Sequence, residues 1–350
     1  MAGGVVRVGI AGIGFMGRIF FGHCRASPKC RLTAIASSDP KKLAGEWGAI
    51  GGNITSAGSE RADLAGVRTF SDIGKMVRYP EVDMVILTLP SFLHAKWTLK
   101  ALAAGRHVLC EKPITVTPAQ GRRVVAAAGR SAGKLMVAHC LRFWPEYVWA
   151  KAHVVDGREY GTVLAAGFRR LSATPGWSSG NWIIDAARGG DAAGELHIHD
   201  ADTVRWFFGE PEAVWAEGAT GLVGRGVDHL VAHYRLPGLK QVTAEGGWAY
   251  APRFPFEMGF TLVCERATAV YDSTARPTLR VYPKEGGVVD PAPPAADAYA
   301  AELDYFLDCI REGRDPSVTT AADALRSLEL VAAEVRSIRS GGRWVKFAPR

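Results

Sequence analysis

No apolar run in the chain approaches the roughly 18 residues that a membrane-crossing helix requires. Its opening, Met1-Ala2-Gly3-Gly4-Val5-Val6, carries neither a basic leader with an apolar stretch nor a twin-arginine signal. The expectation is a cytoplasmic protein with no membrane partner. Cysteine is sparse, and the six residues (Cys24, Cys30, Cys110, Cys140, Cys264, Cys309) form no C-x-x-C pair. That spacing argues against a disulfide framework and a zinc pattern, and for ordinary thiols in a reducing compartment. Basic runs are also missing. The formal charge is +7, yet the 42 Lys and Arg residues are scattered with no run longer than two. Such a bias suits an anionic small ligand better than a nucleic-acid partner. There is no internal repeat and no long low-complexity tract.

What is present is a globular composition, 48% hydrophobic and 22% charged over 350 residues, a length that predicts two domains. Up to about residue 140 strand-like and helix-like segments alternate. Strands are expected at 5–11, 32–36, 67–70, 82–87, 107–110 and 135–138. Helices are expected from Phe15, after Ser71-Asp72, over 92–104 with a stop at Gly105, and from Thr117-Pro118. This is the pattern of a doubly wound parallel sheet, α/β in class. From 141 onward the texture changes. Strands at 161–171, 227–236, 240–248 and 258–264 precede two long amphipathic helices at 298–311 and 320–338. That block reads as an α+β domain on an open, largely antiparallel sheet, with the helices of 298–340 returning toward the first domain.

The segment Gly12-Ile13-Gly14-Phe15-Met16-Gly17 is a G-x-G-x-x-G between the first strand and the first helix. In that context Gly12 permits a tight turn, Gly14 lets a pyrophosphate touch the backbone, and Gly17 lets helix pack on strand. The helix N-terminus then offers free N–H groups to the negative charge, so the expected cofactor is NAD(P). At the end of the second strand Ser37 stands where an acid would select NAD, with Asp39 two residues later. Ser37 and Ser38 suit a 2′-phosphate, and Lys41 or Lys42 would neutralise it, which tilts the reading slightly toward NADP.

The most specific signal is Ala104-Gly105-Arg106-His107-Val108-Leu109-Cys110-Glu111-Lys112-Pro113, with Leu93-His94 upstream. It resembles the hallmark of the glucose–fructose oxidoreductase, inositol dehydrogenase and rhizopine-catabolism family (Gfo/Idh/MocA). Arg106 stands where lysine is more usual. Arg142-Phe143-Trp144-Pro145-Glu146-Tyr147 resembles the family's domain-junction motif, and Gly189 through Asp202 resembles its G-G-G-x-x-x-D-x-x-x-H-x-x-D helix. The ending Gly342-Arg343-Trp344-Val345-Lys346 also fits, so the resemblance spans nearly the whole chain. Glu195 replaces the family's aspartate, and Cys140 departs from a frequent asparagine. The resemblance implies a cofactor-contacting set of Gly12, Ile13, Gly14, Phe15, Met16, Gly17, Ser37, Ser38, Lys42, Leu89, Pro90, His94, Glu111 and Lys112. It also implies a homodimer or homotetramer formed through the second domain's sheet.

For hydride transfer at an alcohol carbon, a histidine suits the accompanying proton and a lysine the developing alkoxide. His199 and Lys112 are the candidates, with Glu195 one helical turn before His199 to orient a hydroxyl. Arg169 and Trp182 complete the candidate substrate set. The expected substrate is a sugar, an inositol or a related polyol. A redox-neutral glycosidase or lyase of the same family, and a cofactor-binding regulator, are the alternatives. His197 and His199 point about 200° apart on a helix and do not readily share a metal ion.

Overall fold

The computed structural model describes residues 4–52 and 61–347. Two compact units divide it. The first takes the chain as far as Cys140, together with Trp177–Trp182 and Asp297–Leu325. The second takes Leu141–Gly176, Ile183–Ala296 and the chain from Arg326. A single cut at residue 140 therefore leaves out two segments that return to the first unit.

The first unit is a six-stranded sheet of β1 (Val6–Ala11), β2 (Cys30–Ala36), β3 (Arg68–Phe70), β4 (Met84–Leu87), β5 (His107–Glu111) and β6 (Leu135–Ala138). All its neighbours pair in parallel, in the order β3-β2-β1-β4-β5-β6. The central strands are apolar on both faces, and Val8, Ile10, Ile86 and Leu109 are fully buried, as a sheet covered on two sides demands. Between the strands run α1 (Phe15–Ala26), α2 (Pro40–Leu43), α3 (Ile73–Val77), α4 (His94–Ala103) and α5 (Pro118–Ala128). Their starts follow from local chemistry. The side chains of Asp39, Asp72 and Thr117 each accept a backbone N–H of the first turn. Asp72, not Ser71, caps α3. The helix Ala298–Glu312 packs on α1 and β1, tied by Ser27 to Asp304 at 2.9 Å and Lys29 to Asp308 at 2.9 Å. The last long helix, Ala321–Arg339, gives only its first five residues to this unit.

The second unit contains α6 (Pro145–Trp149), α7 (Ile198–Phe208) and an eight-stranded sheet. Its strands are β7 (Val163–Ala173), β8 (Ala213–Thr220), β9 (Val227–Arg235), β10 (Gln241–Tyr250), β11 (Glu257–Cys264), β12 (Ala267–Asp272), β13 (Leu279–Pro283) and β14 (Val345–Lys346). The order is β13-β12-β11-β7-β10-β9-β8-β14, antiparallel except for the β7–β10 pair. Alternation sorts the faces. Phe168, Arg170, Leu230, Ala232 and Tyr234 are buried, whereas Arg169, His229, Val231, His233, Thr261 and Val263 are partly or fully exposed. The sequence reading did not anticipate β8, β12, β13 and β14. These strands are short or carry Ala, Gly and charged residues in place of a β-branched run, and sheet neighbours hold them.

Candidate active site and cofactor cradle

The strand order reverses between β1 and β4, and the carboxyl ends of those strands form the crevice where open α/β sheets bind ligands. Three glycines shape it. Gly12 adopts φ +96°, and a β-carbon there would lie 2.6 Å from the Thr88 carbonyl oxygen. A β-carbon on Gly17 would meet the Gly12 oxygen at 2.1 Å, so only glycine permits this helix–turn contact. Above Gly14 nothing lies within 4 Å of the would-be side chain, which leaves room for a pyrophosphate against the backbone. Gly14 N-caps α1 without any side-chain acceptor, and no acid occupies the first turn. The free amides and the positive helix end therefore suit an anion without a competing carboxylate. The residues present fit a dinucleotide.

Ile13 and Phe15 are buried and Met16 is half-buried, so these three anchor the loop while the backbone faces the ligand. At the end of β2, Ser37 is half-buried and Ser38 exposed. The Ser37 hydroxyl accepts the Asp39 N–H at 3.1 Å, and Asp39 is itself committed to capping α2. Lys42 is half-buried in α2, and its carbonyl accepts the Trp47 indole at 2.8 Å.

Leu89 lies against Gly12, 3.0 Å from where a side chain would start. Thr88, which the sequence reading missed, hydrogen-bonds the Gly12 carbonyl at 2.5 Å and so ties the end of β4 to the glycine turn. No motif announces Thr88; it follows only from the β1–β4 pairing. Pro90 precedes a short 3₁₀ turn, Ser91–Leu93, that leads into α4.

His94, expected among the cofactor contacts, is 1% exposed, and both its ring nitrogens are engaged. Its Nδ1 lies 2.7 Å from the Pro113 oxygen and its Nε2 lies 2.8 Å from the Leu89 oxygen. Both partners only accept, so both contacts are hydrogen bonds at once only for the imidazolium. Burial by itself opposes that charge. The Cys110 sulfur and the two carbonyls outweigh it and push the ring up to about 9. His94 thus staples the loop after β4 to the turn that carries Lys112.

Glu111 is buried and accepts the Lys112 N–H at 3.2 Å, while Lys112 itself is half-buried at the strand end. Glu302, from helix Ala298–Glu312, is fully buried near Glu111. Burial, reinforced by the Glu111 charge, pushes its carboxyl well above the usual range. The sequence reading had no signal for Glu302 beyond an acid on the apolar side of a helix.

In the second unit a π-helical turn, Ala193–His197, leads into α7. The expected α-helical spacing of Glu195 and His199 therefore crosses a widened turn, and both residues stay on one continuous helical segment. Ion pairs consume most of that segment's charge. His197 faces Glu334 at 3.2 Å, and Tyr234 donates to Glu334 at 2.8 Å. Asp200 receives Arg170 at 2.8 Å. Asp202 receives Arg142 through two bonds of 2.9 Å and the Ser327 hydroxyl at 2.6 Å, and Arg205 meets Glu210. Between residues 195 and 205, His199 is the one ionisable side chain that is not buried. Just upstream, Asp191 occupies the third-glycine position of the G-G-G motif. Burial raises its carboxyl to about 6, and the Glu195 charge adds to the rise, against a 2.8 Å bond from the Gly194 N–H that acts in the opposite direction.

Arg169, a candidate substrate contact, is held by acidic partners. It pairs with Glu257 at 2.7 Å and Asp272 at 2.8 Å, on the sheet face opposite Arg170 and therefore opposite α7. Adjacent strand residues point to opposite faces, so the two arginines meet different partners. Trp182 is half-buried and belongs to the first compact unit with Trp177. Among the described residues no three His, Cys, Asp or Glu side chains cluster as a metal site would need, and no helix is long and apolar enough to cross a membrane.

Comparison with known proteins agrees with these features. Residues 6–139 match a family model described as an oxidoreductase family with an NAD-binding Rossmann fold, and residues 149–270 match the GFO/IDH/MocA C-terminal domain. The chain is 27% identical over 361 residues to an inositol 2-dehydrogenase of Rubrobacter xylanophilus, covering 96% of this chain and 92% of that protein. It is 29% identical over 320 residues to a 1,5-anhydro-D-fructose reductase of Ensifer adhaerens, covering 85% and 94%. Among solved structures, a levoglucosan dehydrogenase in complex with NADH and levoglucosan shares the fold with a TM-score of 0.82 at 22% identity, over 98% of this chain and 99% of that one. An aldose-aldose oxidoreductase from Caulobacter crescentus, complexed with glycerol, gives 0.82 at 24% identity, over 98% and 100%. With its glycine cradle, its Glu111-Lys112-Pro113 turn and both domain models matched, this chain belongs to the Gfo/Idh/MocA family of oxidoreductases with an NAD-binding Rossmann domain.

Proposed function

We propose that the protein transfers a hydride between the nicotinamide of NAD(P) and a hydroxyl-bearing or keto carbon of a sugar, inositol or related polyol. The observation that carries this reading is that His199 alone is partly open to solvent on a segment whose other ionisable side chains are buried. When bound, the cofactor gives or accepts the hydride. His199 takes the proton from the reacting oxygen, or returns it. The Lys112 ammonium donates to the same oxygen and stabilises its alkoxide character. Glu195 accepts from a neighbouring hydroxyl and so orients the ring. The names of the similar proteins, inositol 2-dehydrogenase and 1,5-anhydro-D-fructose reductase, support a hydroxyl-rich substrate. Lys112→Ala is expected to retain cofactor binding within a few-fold while turnover on the responsive polyol falls roughly 10³-fold. Full activity in that variant removes the mechanism.

The slight preference for NADP rests on Ser37 and Lys42, with no acid at the end of β2. Parallel titrations with NADH and NADPH test it, and at least threefold tighter NADH binding reverses it. The exposed face of the second unit's sheet carries a groove of about 470 Å³ lined by Trp215, His229, Val231 and His233 among others. A second copy covers this face in the proposed homodimer or homotetramer. Val231→Glu is expected to yield monomer in sedimentation experiments, and an unchanged oligomer argues against this interface.

A further inference from the structure

The hexapeptide Trp177–Trp182 belongs to the first compact unit, although the chain on both sides of it, Leu141–Gly176 and Ile183–Ala296, belongs to the second. Its first residue explains why. The Trp177 indole packs on Phe15 with ring centroids 5.7 Å apart and planes tilted by 53°. Phe15 is the first residue of α1, next to Gly14 and its open cradle. The backbone of Gly51 and Gly52 closes on the same two rings. A β-carbon on Gly51 would stand 3.0 Å from that of Trp177, and one on Gly52 would overlap the Phe15 ring at 2.0 Å. Three chain segments that are distant in sequence thus converge on the dinucleotide loop.

Two further features point to a ligand. Phe15 is buried, whereas Trp177 keeps 38% of its surface exposed, so the indole is anchored at one edge and open at the other. The adjoining Ser178 hydroxyl is buried with no hydrogen-bond partner among the described residues, a condition that native structures resolve with water or a bound group. A tight turn sets this pair in place. Gly180 and Asn181 have φ +62° and +49°, and the Asn181 N–H donates to the Ser178 carbonyl at 3.0 Å.

We propose that Trp177 is a cofactor-binding residue that walls the pyrophosphate site on the Phe15 side of the glycine loop. Its indole excludes water from the phosphate oxygens. In the lower local dielectric the α1 amides then hold that charge more strongly. The pyrophosphate is common to NAD and NADP, so loss of the indole weakens both and leaves their ratio unchanged. Selection between the two falls to the end of β2.

The test is a titration of wild-type protein, Trp177→Leu and Trp177→Phe with NADH and with NADPH. It records both the dissociation constant and the nicotinamide emission excited through tryptophan, with the wild type as positive control. Trp177→Leu is expected to weaken both cofactors about tenfold, the scale of one lost aromatic contact with its desolvation. Trp177→Phe should stay within about threefold, because a ring still covers the loop. Both variants should lose a measurable share of the sensitised emission. Trp177→Leu binding within twofold of wild type, with sensitised emission intact, overturns the proposal. Should Trp177→Leu melt before titration, the emission of Trp177→Phe decides: a drop supports the contact, and no change overturns it.

Discussion

The two units prepare for ligands by opposite means. In the first, the ligand-facing surface is main chain: glycines that admit close approach, uncapped amides of α1, and carbonyls stapled by His94 and Thr88. In the second, the groups proposed above, Glu195 and His199, are side chains on one helical segment, fixed by a buried layer of ion pairs around them. A backbone cradle is specified by what is missing, chiefly β-carbons. A side-chain site is specified by partners far away in sequence, such as Glu334 for His197 and Arg142 for Asp202. The first kind fails when an atom is added, and the second when one partner is removed.

The largest effect should follow from breaking the second kind. Arg142→Leu removes from the buried Asp202 the guanidinium that donates to both its oxygens, leaving the neutral Ser327 hydroxyl and the more distant Arg205 among its partners. Removing one partner of such a pair costs about 3–5 kcal/mol, a fall of roughly 10 °C in the unfolding of the second unit. Calorimetry checks this, and a loss below about 1 kcal/mol would show that the pair is not buried in solution. Cofactor affinity, a property of the other unit, should hold.

Next comes the His94 staple. Its folded pKa is raised to about 9, above the ordinary 6.5 of histidine. The stabilisation is therefore complete below about pH 6.5 and is lost as pH rises through about 9. Up to roughly 3 kcal/mol is at stake across that window. Melting of the wild type should decline between pH 7 and 9.5, and His94→Gln should start lower and decline less. Parallel curves for the two proteins would rule out the imidazolium. A third break adds one methyl group. Gly17→Ala places a β-carbon against the Gly12 oxygen, and NADH binding should weaken about a hundredfold, or ~2.7 kcal/mol. Binding of NADH by that variant at wild-type strength would mean the turn relaxes freely.

The same contrast explains what could be read in the sequence. The first unit's sheet and glycine loop were legible because local patterns determine them: apolar strands, capping residues, and glycines at fixed spacing. His94 is legible in the motif, but its two carbonyl contacts are not, because those partners lie 5 and 19 residues away. Trp177 and Thr88 gave no signal, since only the fold brings them to the loop. In the second unit the family-like helix was visible, yet its ion-pair layer was not. Arg169 and Arg170 are adjacent in sequence and face opposite sides of the sheet. β8 and β12 were invisible because neighbouring strands, more than their own residues, hold them in the sheet.

Asp191 offers the subtlest test, because it places the second unit's logic within a glycine motif. The third glycine of the G-G-G pattern is here an aspartate, and the space for its side chain comes from Gly226, where a β-carbon would lie 2.4 Å from that of Asp191. Burial, with the Glu195 charge, raises its folded pKa to about 6 against the bond from Gly194. For an acid with a raised folded pKa, the favourable contribution is present below the unfolded value near 3.8 and is lost as pH rises through about 6. At pH 7 the wild type therefore carries a strained charge. Asp191→Asn keeps an oxygen for the Gly194 N–H and removes that charge, so it should stabilise the protein by about 1 kcal/mol at pH 7, less than the full shift because the amide N–H needs an acceptor. Near pH 4 the difference should vanish or reverse, since the acid is then protonated. A stabilisation equal at both pH values would assign the effect to packing against Gly226 and not to the charge. If it is pH-dependent, Glu195 lies beside a carboxyl that loses its proton near pH 6, and the activity profiles of the wild type and Asp191→Asn should coincide well below pH 6 and separate above it.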